Sequence, residues 1–252
     1  AIGINVMEGY GLTETAPVVS VRPYYQPVFG TIGKPLSCVE VRIVDAKGND
    51  VPAGTLGTVL IKGASVMKGY YKRQDLTDAV IDRDGWFDSG DLGFKTACGE
   101  LILRGRKKDT IVLRGGENIE PVPLEMKMQE SPFISQAVVV GQDQRYLAAL
   151  LLADAEEVKN YAAENGIQYD TYENLLVSEN IKNLYESEIN ALVSSRTGFK
   201  MYERVNRFCL ITKPFEVGVE LSAKQEIMRY RLNSLYEPQI RALFEDKDKG
   251  EL

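Results

Sequence analysis

The sequence contains no histidine among its 252 residues. This absence excludes the commonest general base at neutral pH, the serine–histidine triad and any zinc site with a histidine ligand. Only three cysteines are present, Cys38, Cys98 and Cys209, and their odd number and wide spacing indicate a reducing compartment, not a disulfide framework. The longest apolar run, Tyr146–Ala153, is far shorter than the ~20 residues that cross a bilayer. Any chemistry must therefore use carboxylates, lysines, hydroxyls or backbone amides.

The composition is that of an ordinary globular protein. The hydrophobic fraction is 44% and the charged fraction is 26%, which excludes wholesale disorder, collagen and coiled coil. The formal net charge is −6, so a broad surface for nucleic acid is not expected, and the cysteine usage favours a cytoplasmic location. The sequence begins without an initiator Met and reaches dense Gly, Thr and Glu chemistry by residue 9. We expect a piece of a longer protein.

The residue pattern predicts an α+β fold with two regions. Val39, Val41 and Ile43 alternate with polar residues, which is the period of a half-buried strand. Turn residues recur about every ten positions in the first region, as in a small barrel or sandwich. The predicted organisation is a β-barrel-like region over residues 1–104, a boundary segment at 105–109 and a small mixed α/β domain over 110–252.

The second region mixes strand and helix signals. Pro121 is suited to the first position of a helix, and Gly166 to the end of another. Ser222 and Gln225 form a possible capping box, and Pro238 should interrupt the helix that follows. The predicted elements are a strand at 111–113, a hairpin of 137–141 with 146–152, helices at 155–165 and 171–194, a strand at 205–211 and a helix at 222–244.

A glycine-rich loop, Gly9–Thr15, is the first candidate site. Its two glycines, Gly9 and Gly11, allow a ligand to approach the backbone closely. Backbone amides with the Thr13 hydroxyl can hold a phosphate, and the Glu14 carboxylate beside a phosphate suits Mg²⁺. The Tyr10 ring can stack on a base. The pattern favours nucleotide binding, and the alternative is a turn between two elements.

Two further motifs are ambiguous when each is considered alone. Asp91 follows Ser89 and Gly90, and an acidic residue on a glycine turn can accept both hydroxyls of a ribose. The alternative is an aspartate that only forms the turn. The basic run Arg104–Lys108 is either a solvated face or a hinge whose arginine contacts a nucleotide.

The order and spacing of the motifs are more specific than any one of them. The sequence contains, in order, Gly9-Tyr10-Gly11-Leu12-Thr13-Glu14-Thr15, then Gly63 with Gly69-Tyr70-Tyr71, then Gly85-Trp86-Phe87-Asp88-Ser89-Gly90-Asp91, then Gly105-Arg106-Lys107-Lys108-Asp109-Thr110-Ile111, then Gly115-Gly116-Glu117-Asn118-Ile119-Glu120-Pro121 and Glu125. This series closely resembles the adenylate-forming acyl-CoA synthetases, also called AMP-binding ligases, and the long-chain fatty acid ligases in particular. The resemblance extends over essentially the whole chain.

The resemblance implies a reaction in two steps. Such enzymes use ATP to convert a carboxylic acid to an acyl-adenylate and pyrophosphate, and then pass the acyl group to the thiol of CoA. A large N-terminal domain holds ATP and the acid, and a small C-terminal domain rotates about a hinge. The chain would then hold the last part of the large domain at 1–104, the hinge at 105–109 and the whole small domain at 110–252.

The resemblance also implies roles for the residues that match the family's motifs. Those roles concern the nucleotide, the metal ion, the hinge and the acceptor thiol. Tyr10 would pack on adenine, Thr13 would bind a phosphate of ATP or AMP, Glu14 would bind Mg²⁺, Asp91 and Arg106 would contact the ribose, Lys108 would lie at the hinge, and Gly115 and Gly116 would line the path of the pantetheine arm.

The sequence departs from the family pattern at the phosphate loop and at the catalytic lysine. The Lys-containing phosphate loop, rich in Ser, Thr and Gly, is absent, and in family members it lies upstream. We therefore predict that the isolated chain cannot make acyl-adenylate. At the position of the catalytic lysine the sequence has Glu226, and Lys224 lies two residues earlier. Lys224 could substitute if the loop shifts, but in a helix a shift of two residues rotates a side chain by roughly 200°.

Other interpretations remain open. The acceptor thiol could belong to the phosphopantetheine arm of acyl carrier protein instead of CoA. Glu226 is consistent with a non-catalytic relative that only binds a nucleotide. Long acyl chains would make peripheral association with a membrane surface possible, in addition to the cytoplasmic location. The leucines and tyrosines expected to face the small domain's own core are Tyr161, Tyr172, Leu175, Leu176, Leu184, Tyr185 and Leu192. The oligomeric state is open.

Overall fold

The computed structural model describes residues 6–25 and 27–245. Contacts within the chain divide it into two compact units, residues 1–108 and residues 109–252. Each unit is described by itself below, as the first unit and the second unit.

The first unit is built mainly of β-strands. Its elements are, in order, β1 (Gly9–Tyr10), β2 (Ser20–Val21), β3 (Lys34–Pro35), β4 (Val39–Val44), β5 (Gly57–Gly63), α1 (Gln74–Val80), β6 (Phe87–Lys95) and β7 (Leu101–Arg106). β1, β2 and β3 form a small antiparallel sheet.

The main sheet of the first unit is an open antiparallel meander in the order β4-β5-β6-β7. Val39, Val41 and Ile43 on β4 are buried, which confirms the alternation predicted from the sequence. They pack with Val59 and Ile61 of β5 in one hydrophobic core. The predicted α+β fold with a strand-rich first region is confirmed, and in the described part of the chain these strands form an open sheet and no closed barrel. Within this sheet each strand pairs with its sequence neighbours, and Leu101 of β7 also exchanges backbone hydrogen bonds with Ile32 and Gly33, at 2.9 and 2.8 Å.

The second unit mixes strands and helices. Its elements are β8 (Ile111–Val112), β9 (Asn118–Ile119), α2 (Pro121–Met128), β10 (Ile134–Val140), β11 (Leu147–Ala153), α3 (Ala155–Glu164), α4 (Tyr172–Leu176), α5 (Glu179–Leu192), β12 (Val205–Ile211), α6 (Arg229–Leu235) and α7 (Glu237–Phe244). The predicted hairpin, the helix that starts at Pro121 and the strand at 205–211 are confirmed.

The sheet of the second unit has β11 at its centre, antiparallel to β10 and parallel to β12. All seven residues of β11 are buried, because both faces of the strand are covered and neither requires polar side chains. One face packs in the core that includes α2, α3, α4 and α5, and the other packs against α6 and α7.

The helices of the second unit follow the sequence signals with one difference. The predicted helix at 171–194 is two helices, because the Ser178 side chain accepts the Ile181 amide and starts α5 afresh. Gly166 has φ +66° just after α3, as its predicted role at a helix end requires. The leucines and tyrosines expected to face the core do so, and Tyr185 is fully buried.

The helix predicted for residues 222–244 is wrong over its first seven residues. Leu221 pairs with Ile227 in an antiparallel bridge, and a tight turn connects them. The Ser222 hydroxyl does accept backbone amides, but in a turn and not as a helix cap. Helix α6 begins at Arg229. The helix is interrupted at Tyr236, between α6 and α7. Pro238 lies in the first turn of α7, where its missing backbone amide is tolerated.

None of the helices in the described residues combines the length and the hydropathy that a membrane span needs.

Candidate functional site

Three predicted residues of the first unit come together although they lie far apart in the sequence. Tyr10 ends β1, Asp91 lies on β6, and Arg106 ends β7 directly opposite Asp91 in the strand register. The Tyr10 hydroxyl donates to Asp91 Oδ2 at 2.6 Å, and Arg106 Nε lies 3.4 Å from Asp91 Oδ1. The open meander produces this cluster, because the antiparallel pairing of β6 and β7 sets the aspartate beside the arginine.

The cluster combines a buried carboxylate with a half-exposed guanidinium. Tyr10 is 9% exposed and Asp91 is 6% exposed, whereas the Arg106 side chain is 46% exposed. Burial, with the charge of Asp91, raises the pKa of the Tyr10 hydroxyl. The phenol therefore keeps its proton and acts as a donor to the carboxylate. A buried carboxylate beside a cation is a chemical group that accepts hydrogen bonds from hydroxyls.

Close packing of the backbone accounts for Gly11. A Cβ on Gly11 would lie 1.5 Å from the carbonyl oxygen of Pro17, so no side chain fits there. The buried Thr15 hydroxyl donates to the Leu12 carbonyl and accepts the Leu12 amide, which closes the loop on itself. The contact of Gly11 with a phosphate stays a prediction.

Thr13 and Glu14 lie in a short 3₁₀ turn, Thr13–Thr15, that follows β1. Thr13 is exposed, and Glu14 is half-buried. Glu14 Oε1 accepts a hydrogen bond from the Tyr70 hydroxyl at 3.0 Å. Burial and the neighbouring Glu14 raise the pKa of Tyr70. Sequence reasoning noted Tyr70 in a motif but gave it no role, because a contact across 56 residues leaves no local signal.

The remaining motif residues lie at exposed turns. Lys108 is exposed in a second 3₁₀ turn, Lys107–Asp109. Gly115 and Gly116 form the exposed tip of the β8–β9 hairpin, and Gly116 has φ +88°, a backbone conformation that favours glycine. A Cβ on Gly115 would meet the carboxylate of Glu117 at 2.3 Å.

Lys224 and Glu226 are both exposed in the turn between Leu221 and Ile227. The Ser222 hydroxyl accepts both backbone amides, each at 3.2 Å, and Gln225 has φ +62°. The rotation expected for a helix therefore does not apply.

An ion pair that sequence reasoning missed lies next to that turn. The guanidinium of Arg229 donates to both oxygens of Glu125, at 2.8 and 2.6 Å, and Glu125 also accepts the Val139 amide at 2.8 Å. Arg229 Nε is 4.0 Å from Asp109 Oδ1. These bonds tie the first residue of α6 to α2 and β10. Glu125 ended one of the motifs, but Arg229 lies 104 residues away.

Two family models match the chain. Residues 1–71 match the model described as AMP-binding enzyme, and residues 108–248 match the model described as AMP-binding enzyme C-terminal domain.

The chain is similar to curated relatives from plants and animals. A probable chloroplastic acyl-activating enzyme of Arabidopsis thaliana is 39% identical over 97% of this chain and 35% of the relative. A chloroplastic long-chain-fatty-acid–[acyl-carrier-protein] ligase of the same plant is 42% identical over 65% of this chain and 24% of the relative. A long-chain-fatty-acid–CoA ligase of Rattus norvegicus is 31% identical over 97% of this chain and 36% of the relative. The chain thus spans about a quarter to a third of the length of these relatives.

The fold matches solved adenylation domains. One is the A domain of a carboxylic acid reductase from Segniliparus rugosus, in complex with AMP and a co-purified carboxylic acid. The TM-score is 0.75 and the identity 26%, over 96% of this chain and 35% of that chain.

Proposed function

This chain belongs to the family of AMP-binding enzymes, and from that premise we propose that it is part of a longer fatty acid ligase. In the first step a carboxylate oxygen of the acid attacks the α-phosphorus of ATP and pyrophosphate leaves. In the second step a thiol sulfur attacks the acyl carbon and AMP leaves. We propose CoA as the acceptor, and the phosphopantetheine arm of acyl carrier protein as the alternative.

The convergence of Tyr10, Asp91 and Arg106 is the observation that supports this proposal most strongly. A buried carboxylate 2.6 Å from a tyrosine hydroxyl, with a guanidinium on its other oxygen, is suited to the two hydroxyls of a ribose. We propose that Asp91 and Arg106 bind the ribose and that Tyr10 lies beside the adenine. Gly11 and Thr13, in the loop after Tyr10, would face the phosphates.

The chemistry of Glu14 fits a magnesium ion. Mg²⁺ is usually held by one or two carboxylates together with the phosphates of its substrate, and Glu14 is half-buried with one oxygen fixed by Tyr70. A bound ion would neutralise phosphate charge during the first step. In this proposal Glu14 holds the ion and Tyr70 orients the carboxylate.

We propose Lys224 as the cation that steadies the acid and the α-phosphate. It lies on an exposed turn, as a residue that must reach a substrate requires, and Glu226 on the same turn has the wrong charge for this role. The turn is tied at both ends, by the bridge of Leu221 with Ile227 and by the Arg229–Glu125 ion pair that follows.

The proposed domain limits follow the motifs. Residues 1–104 would be the last part of the large domain, 105–109 the hinge with Lys108 at its centre, and 110–252 the small domain. Gly115 and Gly116 would line the path of the pantetheine arm, and their exposed position at a hairpin tip supports this role. The names of two relatives include a CoA ligase and an acyl-carrier-protein ligase, which supports a pantetheine thiol as acceptor in either case.

Acid-dependent release of pyrophosphate by the longer enzyme is the test of the proposed function. With ATP, Mg²⁺ and a series of fatty acids, we expect release that is highest for long chains. Lys224→Ala should abolish it and Glu226→Gln should not. No release by the wild type, with activity gained in Glu226→Lys, would contradict the proposal and favour a nucleotide-binding protein without catalysis.

The acceptor is tested by competition. Acyl-adenylate is formed first, and CoA and acyl carrier protein are then offered together. We expect acyl-CoA as the main product. If most of the acyl group were found on acyl carrier protein instead, the alternative acceptor would be established. The same comparison in the cytoplasmic and membrane fractions would show whether the enzyme works in the cytoplasm or at a membrane surface.

The isolated chain should not catalyse the first step of the reaction. It lacks a phosphate loop, so we expect no acid-dependent pyrophosphate release from residues 1–252 alone. Release by this chain would contradict the assignment of half the ATP site to a preceding segment.

A further inference from the structure

The hydroxyl of Tyr10 has a partner that a purely stacking role would not need. It donates to Asp91 Oδ2 at 2.6 Å across 81 residues of sequence, and the ring that carries it is 9% exposed. The ring packs in the core of the first unit with Val19 and Phe87. The position of the hydroxyl is thus fixed by the core and not by the solvent.

Asp91 is fixed from its backbone as well. Its amide donates to the Ser89 hydroxyl at 3.1 Å, and that hydroxyl donates to the Val59 carbonyl at 2.7 Å. With its backbone held, the carboxylate can still move by rotation about the bonds of its side chain. The Tyr10 hydroxyl restrains that rotation because it engages one oxygen from a buried ring.

We infer that Tyr10 is a positioning residue whose hydroxyl sets the orientation of Asp91 for the ribose hydroxyls. The inference rests on the proposed function and assigns to the tyrosine a role in addition to contact with adenine. An ionised carboxylate has about four acceptor positions, so the bond from Tyr10 is compatible with hydrogen bonds from a ligand.

The restraint on Asp91 matters because Arg106 is close enough to compete for its carboxylate. Its Nε lies 3.4 Å from Asp91 Oδ1, which is longer than a good charge-assisted hydrogen bond, and its side chain is 46% exposed. Without the tyrosine hydroxyl, the carboxylate could turn towards the guanidinium and form a closer, two-pronged pair. Such a pair would compete with the ribose for the same oxygens.

The state of the phenol supports the direction of this bond. Burial raises the pKa of Tyr10, so the hydroxyl remains a donor throughout the pH range in which the protein would work. A hydrogen bond to an ionised acceptor contributes more than one between neutral groups.

The test is a cycle between protein and ligand. The longer enzyme and its Tyr10→Phe variant are titrated without fatty acid against ATP and against 2′,3′-dideoxy-ATP, which lacks the ribose diol. Phenylalanine keeps the ring. We expect Tyr10→Phe to raise the Kd for ATP by about fivefold to tenfold and to leave the Kd for the dideoxy nucleotide within about twofold.

Tyr71→Phe is the matched control, because Tyr71 is 85% exposed and should change neither Kd. The fluorescence of Trp86, the only tryptophan of the sequence and a residue of the first unit, shows whether Tyr10→Phe remains folded. Because both nucleotides are measured on the same variant, a general loss of structure would affect both equally.

Two results would overturn the inference. An unchanged Kd for ATP in Tyr10→Phe would mean that only the ring matters. An equal loss for both nucleotides would mean that the hydroxyl supports the fold and not the ribose site. Failure of the wild-type enzyme to bind ATP would overturn the proposed function, and the inference with it, before any variant is compared.

Discussion

Asp91 in the first unit and Glu125 in the second are equally buried carboxylates, at 6% and 4% exposure, but their partners differ. Asp91 accepts a neutral hydroxyl at 2.6 Å and has a half-exposed guanidinium 3.4 Å away. Glu125 accepts two bonds from Arg229, whose side chain is 15% exposed, and one from a backbone amide.

We propose that the difference separates a structural carboxylate, Glu125, from one that binds a ligand, Asp91. The charge of Glu125 is compensated by a close guanidinium, so its removal leaves the mostly buried Arg229 with only the more distant Asp109 as an acidic partner. Asp91 accepts the Tyr10 hydroxyl and faces its cation at a longer distance, and in our proposal its charge acts on a bound nucleotide. Burial alone would not distinguish the two, whereas the kind and distance of the partner does.

The largest effect is expected when the structural pair is broken. Glu125→Gln should lower the free energy of unfolding of the second unit by about 4 kcal/mol, because one partner of a buried ion pair is lost. Urea unfolding of the chain, followed by far-ultraviolet circular dichroism, measures the change. Trp86 fluorescence reports the first unit in the same samples.

Glu130→Gln is the matched control for that variant. Glu130 pairs with Lys127 three residues away but is exposed at the surface, so its loss should change the free energy by less than about 0.5 kcal/mol. If both variants were equally stable, Glu125 would not be the structural carboxylate of this comparison.

A smaller effect is expected in the loop that carries Tyr10. Gly11→Ala should destabilise the first unit by about 3 kcal/mol, since its Cβ would overlap the Pro17 carbonyl and the backbone must shift. In Gly9→Ala the nearest atom is the Ser20 oxygen at 3.2 Å, so the cost should be smaller. Trp86 fluorescence during urea unfolding compares the two. Equal stability would show that the glycine serves a ligand and not the fold.

The smallest effect concerns a third carboxylate, Glu120. Its Oε2 is buried without a hydrogen-bond partner among the described residues, although Thr110 donates to Oε1 at 2.7 Å. Burial raises the pKa of Glu120, so the folded state holds its proton more tightly than the unfolded state. The contribution of this group is present in acid and is lost as the pH rises through the folded pKa.

Glu120→Gln imitates the protonated acid and removes this loss. At pH 7 the variant should be slightly more stable than the wild type, and the advantage should vanish below the ordinary glutamate pKa of 4.5. Urea midpoints at the two pH values measure it. An advantage that is the same at both would mean that the Glu120 charge does not matter.

Elements with a regular local pattern could be predicted from the sequence. The strands β4 and β12, the helix that starts at Pro121 and the hairpin of β10 with β11 follow from periodicity and turn residues within each segment. The turn at 222–228 could not, because Ser222 with Gln225 satisfies a helix-cap pattern while long-range pairing holds the segment in a turn. The shape of the main sheet was also beyond local patterns, which indicate strands but not closure.

The candidate site, too, could be predicted only in part from the sequence. The ordered motifs indicated Asp91 and Arg106, and the strand register places them side by side. The bonds of Tyr10 to Asp91 and of Arg229 to Glu125 join residues 81 and 104 apart, and only the fold reveals such pairs. The roles of the motif residues towards a nucleotide remain proposals.

The central claim is that Asp91, and not Glu125, is the buried carboxylate that serves a ligand. The most direct test is the affinity of the folded longer enzyme for AMP in the Asp91→Asn and Glu125→Gln variants, measured by titration calorimetry. The account predicts that Asp91→Asn raises the Kd by about 50-fold or more, as the loss of two charge-assisted hydrogen bonds implies, and that Glu125→Gln leaves it within about twofold. An unchanged Kd in Asp91→Asn, or an equal loss in both variants, would contradict it.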